Sequence, residues 1–255
     1  MKGISLDRRV IEAVEGHPAV RRVRLVGSRA AGTATAVSDW DFAVETDDFH
    51  AVAREIGNLV AVLDPLAQQW DRLSETQCWM VILPGPVKLD FIFDQPHNNE
   101  PPWHPEPSNL AAMDAHFWDW MWWLLAKQVK GRTDLVATEL HKMFQHILHT
   151  MGVQVPPDSL DTAVASYLLA RTRLEHDLGV TFPRTLEREV MGALHENAVS
   201  EHPWPFPDEY LSADRHSSPR SASGTMRAWS GSHPNRHCNL MRLSFDSCGS
   251  MMPRR

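Results

Sequence analysis

The spacing of apolar residues divides the chain into a strand-rich first part and a helical second part. Val10, Ile11 and Val14 recur at helical spacing over residues 6–15, and His17-Pro18 breaks the run. Val20, Val23, Leu25 and Val26 mark a first strand over 20–26; Gly27-Ser28 ends it and can open a short helix. A second strand is expected over 40–45. A helix follows over 48–63, with Phe49, Val52, Ile56, Leu59 and Val60 on one side. Residues 78–83 and 87–93 read as a third and a fourth strand joined by Pro84-Gly85-Pro86, a hairpin.

Past Asp94 the pattern changes. Residues 95–108 hold five prolines and read as a linker. Helices are expected over 109–130, closed by Gly131, then over 133–151, 158–178 and 185–198. Trp118, Trp120, Trp122 and Trp123 cannot all lie on one side of the first of these, so some are core and one or two can line a cleft. Residues 211–255 are rich in Ser, Arg, Gly, Pro and His without periodicity, which predicts a disordered tail. The fold class is therefore α/β (α+β): a small mixed-sheet domain over 1–95, a Pro-rich linker over 96–108, a helical bundle over 109–210 and the tail.

Charge sharpens this picture. The chain of 255 residues has a net charge of −7, but residues 1–210 carry 18 Lys/Arg against 30 Asp/Glu. An acidic folded part argues against nucleic acid and suits a small cationic acceptor, although acidity also simply aids solubility. The first residues lack the apolar stretch of a secretory signal, and no run has membrane-spanning length. Cys78, Cys238 and Cys248 form no disulfide framework or metal spacing. A cytoplasmic location is expected, with no membrane partner.

The candidate chemistry sits in the strand-rich part. Gly27-Ser28 at the end of a strand offers backbone N–H groups and a hydroxyl to a phosphate. Asp39-Trp40-Asp41 puts two carboxylates on one face, since side chains alternate along a strand. In the fourth strand Leu89, Phe91 and Phe93 share one face, while Lys88, Asp90 and Ile92 share the other. Asp90 is thus a charge in an apolar strand, which is costly unless paired or metal-bound. If that strand lies beside residues 39–41, the three carboxylates converge.

Gly27-Ser28, then Asp39-x-Asp41, then Asp90 on a later strand resembles the signature of the polymerase-β-like nucleotidyltransferases. The stretch from Val26 to Asp41 is most similar to that of bacterial antibiotic (aminoglycoside-type) nucleotidyltransferases, and the resemblance covers residues 20–94. It is looser over 122–131. The resemblance implies that Gly27 lets the backbone approach the nucleotide phosphates and that Ser28 bonds a phosphate oxygen. It implies that Asp39 and Asp41 hold Mg²⁺, with two ions in the site. Asp90 then either completes a second metal site or acts as general base. The implied reaction moves a nucleoside monophosphate from ATP or another NTP to a hydroxyl of an aminoglycoside-like acceptor, releasing pyrophosphate. An antitoxin-like member that binds or AMPylates a partner protein is the alternative. A homodimer that completes the cleft stays open.

Weaker signals surround this core. Arg29 can touch a phosphate or be a surface residue. Lys88 can meet a phosphate, but structural pairing with a carboxylate is favoured. The resemblance also implies a basic residue of the helical part on the triphosphate, which makes Lys127, Lys130 and Arg132 candidates, each weighed against a solvated helix end. The resemblance likewise implies a helical acid that binds the acceptor or acts as base; Glu139 and Glu175 are its candidates, and an exposed face is the favoured expectation for both. His141, His146 and His149 read as surface histidines rather than a zinc site.

Overall fold

Alternation and amphipathic spacing build a five-stranded sheet with helices on both faces in the computed structural model, which describes residues 5–98, 100–181 and 184–197. The first part runs α1 (Leu6–Glu15), β1 (Val20–Val26), α2 (Gly27–Ala30), β2 (Trp40–Thr46), α3 (Phe49–Val60), β3 (Ala67–Trp70), β4 (Thr76–Leu83) and β5 (Val87–Pro96). The strand order is β1-β2-β5-β4-β3. β2 and β5 are parallel neighbours, whereas the other pairings are antiparallel. The sheet is therefore mixed, as the α/β (α+β) class requires.

One face of the sheet meets α1 and α3. Phe42 and Val44 of β2 and Leu89, Phe91 and Phe93 of β5 pack there with Val10, Val14, Val52 and Ile56. Burying each such side chain stabilises the fold by roughly 1.5–3 kcal/mol. The alternate residues of the same strands, Asp41 on β2 and Lys88 and Asp90 on β5, are thereby turned to the opposite face. Packing on one side of the sheet thus aims these charged side chains on the other.

That other face meets α4 (Leu110–Val129), followed by α5 (Thr133–Met143), α6 (Leu160–Leu178) and α7 (Thr185–Asn197). α4 is apolar around most of its circumference and accordingly buried around most of it. Trp118, Met121 and Leu124 join Leu140, Val164, Tyr167, Val190 and Leu194 in a second core, which Ile82 of β4 also enters. Polar links reinforce it. Asp114 accepts hydrogen bonds from the Tyr167 hydroxyl at 2.6 Å and Arg171 Nη1 at 2.7 Å. Arg171 also bonds Glu187 of α7. Gln69 Nε2 donates to the Ala112 carbonyl at 3.0 Å, tying the sheet edge to α4. Among the described residues no helix is long and apolar enough to cross a membrane.

Several sequence expectations are corrected. β3 was not anticipated, because Ala67–Trp70 is short and its centre is two glutamines. The helix expected over 133–151 ends at Met143, and a wider-wound turn, Phe144–Leu148, follows. The helix expected from 158 starts at Leu160, where Ser159 and Thr162 cap each other reciprocally. The described residues of 97–109 form no helix or strand, in keeping with their prolines. Trp103 within them is buried, and its backbone N–H donates to the His146 carbonyl at 3.0 Å. The tail expected over 211–255 lies outside the described residues.

Candidate active site

Asp39 ends the loop before β2 and Asp41 is the second residue of that strand, so both side chains leave the same face. Asp41 is in register with Asp90 on the parallel neighbour β5. One carboxylate oxygen from each of Asp39, Asp41 and Asp90 lies within 4.8 Å of the other two. The condition set by the sequence, that the two acidic strands adjoin, is met.

Gly27 and Ser28 border this cluster. β1 pairs with β2 so that Val26 faces Asp41, which brings the turn after β1 against the carboxylate. Gly27 adopts φ +63°, and a Cβ there would stand 2.1 Å from Asp41 Oδ2. The glycine is thus required by Asp41 itself, a reason beyond the phosphate approach expected from sequence. Ser28 Oγ is buried with no hydrogen-bond partner among the described residues. An orphaned hydroxyl is costly without a ligand.

The basic candidates separate by position. The Arg29 guanidinium donates to the Asp39 carbonyl at 3.0 Å and the Ser38 carbonyl at 2.5 Å, and it stacks 4.1 Å over the Trp40 ring. It therefore braces the loop that carries Asp39. Lys127 of α4 places Nζ 3.7 Å from Asp39 Oδ2 and 4.5 Å from the centre of the Trp123 ring. Lys88 Nζ donates to Asp119 Oδ1 at 2.6 Å and forms an ion pair with Asp90 Oδ1 at 2.8 Å, an oxygen that accepts no hydrogen bond among the described residues. Structural pairing of Lys88 with carboxylates, the favoured expectation, is what the fold contains. Lys130 is half-buried and Arg132 exposed, and neither pairs with the three carboxylates among the described residues.

Electrostatics follow from this crowding. Burial, then the Asp39 and Asp90 carboxylates, push Asp41 up to about 6. Burial also raises Asp90, against the pull of the Lys88 ammonium. Asp119 rises to about 7 through burial, opposed by Lys88 and assisted by Asp90. Lys88 loses to burial but gains more from Asp119 and Asp90, so it stays charged. Burial lowers Arg29, resisted by Asp39 and Asp41. The Asp41 carboxylate without an ion pair among the described residues, the hard oxygen donors and the orphaned Ser28 hydroxyl fit a divalent cation with a phosphate beside it.

A cavity of about 240 Å³ opens next to Asp90. Asp71, Asp119 and Glu139 add carboxylates to its wall, Trp120 and Trp123 add rings, and His116 adds an imidazole. The two rings match the expectation that one or two tryptophans line a cleft. Glu139 is corrected from exposed to wall residue, with its side chain 12% exposed and bonded by Lys142 at 2.6 Å. Glu175 is corrected as well, being buried against Arg184 Nη2 at 2.5 Å. His141 and His149 are exposed and His146 half-buried, and none joins a metal-ligand cluster among the described residues. Sequence reasoning missed Asp119 and His116. The signal was present for Asp119, a charge between two tryptophans in an apolar helix, the same anomaly that singled out Asp90.

No protein-family model matches the chain, and no curated protein does. Two solved structures are similar in part. An aminoglycoside 6-adenyltransferase from Bacillus subtilis shares 10% identity over 78% of this chain and 100% of that one, with a TM-score of 0.27. The polymerase core of TRAMP, an RNA surveillance complex, shares 13% identity over 76% of this chain and 61% of that one, with a TM-score of 0.30. Likeness this slight carries no argument about activity, so the functional reading rests on the site itself.

Proposed function

We propose that this chain is a metal-dependent nucleotidyltransferase that moves a nucleoside monophosphate, AMP from ATP, to a hydroxyl of a small cationic acceptor such as an aminoglycoside. The observation that carries the reading is the meeting of Asp39, Asp41 and Asp90 within 4.8 Å beside Gly27 and the orphaned Ser28 hydroxyl. Carboxylates held against one another on adjacent strands are electrostatically expensive, which a cation and a triphosphate would relieve.

The roles divide by position. Asp39 and Asp41, with Asp90 beside them, would hold Mg²⁺, which when bound neutralises triphosphate charge and makes the α-phosphorus more electrophilic. Ser28 Oγ donates to a phosphate oxygen. Arg29 keeps the Asp39 loop in place through the Ser38 and Asp39 carbonyls. Lys127, on the far side of Asp39, meets the triphosphate with its ammonium. The acceptor lies in the cavity next to Asp90, where the carboxylates of Asp71, Asp90, Asp119 and Glu139 outnumber the ammonium groups of Lys88 and Lys142 and so favour a cation, and Trp120 and Trp123 give it a flat wall. The acceptor oxygen attacks the α-phosphorus, the bond to the β-phosphate breaks, and pyrophosphate leaves. The hydroxyl proton passes to the Asp90 carboxylate, whose burial makes it a better base than an exposed aspartate.

The test is Mg²⁺-dependent pyrophosphate release from an NTP mixture, with and without a panel of aminoglycosides. Asp39→Asn serves as the blank. Release that needs an acceptor and vanishes in Asp39→Asn, while circular dichroism shows a folded protein, is the expected result. A fully active Asp39→Asn protein would sink the mechanism.

A further inference from the structure

Two of the three carboxylates of the cluster already have an ammonium from their own chain. Lys127 stands 3.7 Å from Asp39, and Lys88 stands 2.8 Å from Asp90. Asp41 has no ion pair with a cation among the described residues. We propose that Lys88 is the second cation of this site: its ammonium stands at Asp90 where a second divalent ion would bind, and the chain holds one metal ion, at Asp39 and Asp41. The inference rests on the nucleotidyltransferase reading and replaces the two ions implied by the family resemblance.

Three features make Lys88 a fixed charge rather than a passing contact. It lies two residues from Asp90 on the same strand, so both side chains leave one face of the sheet. It is 4% exposed, which removes the solvent that would let the side chain swing away. Its far side is pinned by Asp119, 2.6 Å away on α4, a helix of the opposing layer. A divalent ion bound at the same Asp90 oxygen would sit beside a buried ammonium with little water to screen the repulsion. Asp119 is thus a positioning residue that holds Lys88 against Asp90. A built-in cation also has a consequence for the reaction. It keeps a positive charge beside the base at every metal concentration, so only one ion has to be captured from solution.

The experiment counts Mn²⁺ on the full chain by electron paramagnetic resonance, with a non-hydrolysable ATP analogue bound. The wild type should show one Mn²⁺ per chain with the six-line spectrum of an isolated ion. Lys88→Ala should bind a second Mn²⁺ and show the broadened spectrum of a coupled pair, of ions about 4 Å apart. Removing one partner of a buried pair can unfold a protein. Lys88→Ala/Asp119→Ala removes both charges and should give the same second ion. A coupled pair in the wild type overturns the proposal and leaves the nucleotidyltransferase reading standing. A single isolated ion in both variants overturns it too. Failure of the wild type to retain Mn²⁺ or the analogue overturns the underlying reading, and the role of Lys88 with it.

Discussion

Gly27→Ala tests whether the close approach of the β1 turn to Asp41 is part of the catalytic geometry. The added Cβ would stand 2.1 Å from Asp41 Oδ2 and 3.0 Å from its Cγ. Reaching an ordinary contact moves the carboxylate by about 1 Å, and a displacement of that size costs on the order of 100-fold in rate. In barrier terms that is about 2.7 kcal/mol. Separately, an alanine at φ +63° carries the left-handed penalty, roughly 1–2 kcal/mol of stability. A control isolates the second effect. Gly179 has φ +66°, and a Cβ there would meet nothing within 4 Å. Urea unfolding should therefore show similar losses in Gly27→Ala and Gly179→Ala, whereas pyrophosphate release should fall about 100-fold in Gly27→Ala alone. Equal turnover in the two variants would refute the claim that Gly27 exists to seat Asp41.

Three further outcomes follow from the fold. Lys127→Ala removes the ammonium near Asp39 and its contact with Trp123, so the KM for NTP should rise about tenfold, a change of about 1.4 kcal/mol, with a smaller effect on kcat; an unchanged KM would take Lys127 out of the triphosphate site. Burial holds His116 down to about 4. Its native pKa is depressed below the unfolded value near 6.5, so the native state binds fewer protons, and its contribution is complete above about 6.5 and is lost as pH falls towards 4. His116→Leu should flatten that acid limb, with an upper bound of about 3 kcal/mol between pH 7 and 4; identical urea midpoint profiles for the two proteins would contradict it. Arg171→Ala leaves the buried Asp114 without a cation and Glu187 with Arg184 alone and should cost about 3–5 kcal/mol in urea unfolding; a loss under 1 kcal/mol would mean the network is far less coupled than its burial indicates.

The sequence spoke most clearly where one physical constraint acts alone. Alternation on β5 told Leu89, Phe91 and Phe93 from Lys88 and Asp90, because one face of the sheet must be apolar. The convergence of Asp39, Asp41 and Asp90 followed once β2 and β5 adjoined, since a parallel register leaves Asp41 opposite Asp90. β3 was illegible because the strand is four residues long with Gln68 and Gln69 at its centre, so it has no apolar period to read. The partners that Lys88, Arg29 and Asp119 take were illegible for a different reason. Each depends on a partner brought close only by tertiary packing: Asp119 lies 31 residues from Lys88, and Arg29 spends its guanidinium on backbone carbonyls that carry no sequence signal. Local pattern therefore locates the acids, while the layering of α4 on the sheet decides which cations they keep. If Lys88 stands in for a second ion as proposed, the information about metal number lies in the contact between β5 and α4, and outside the motif by which the site was first read.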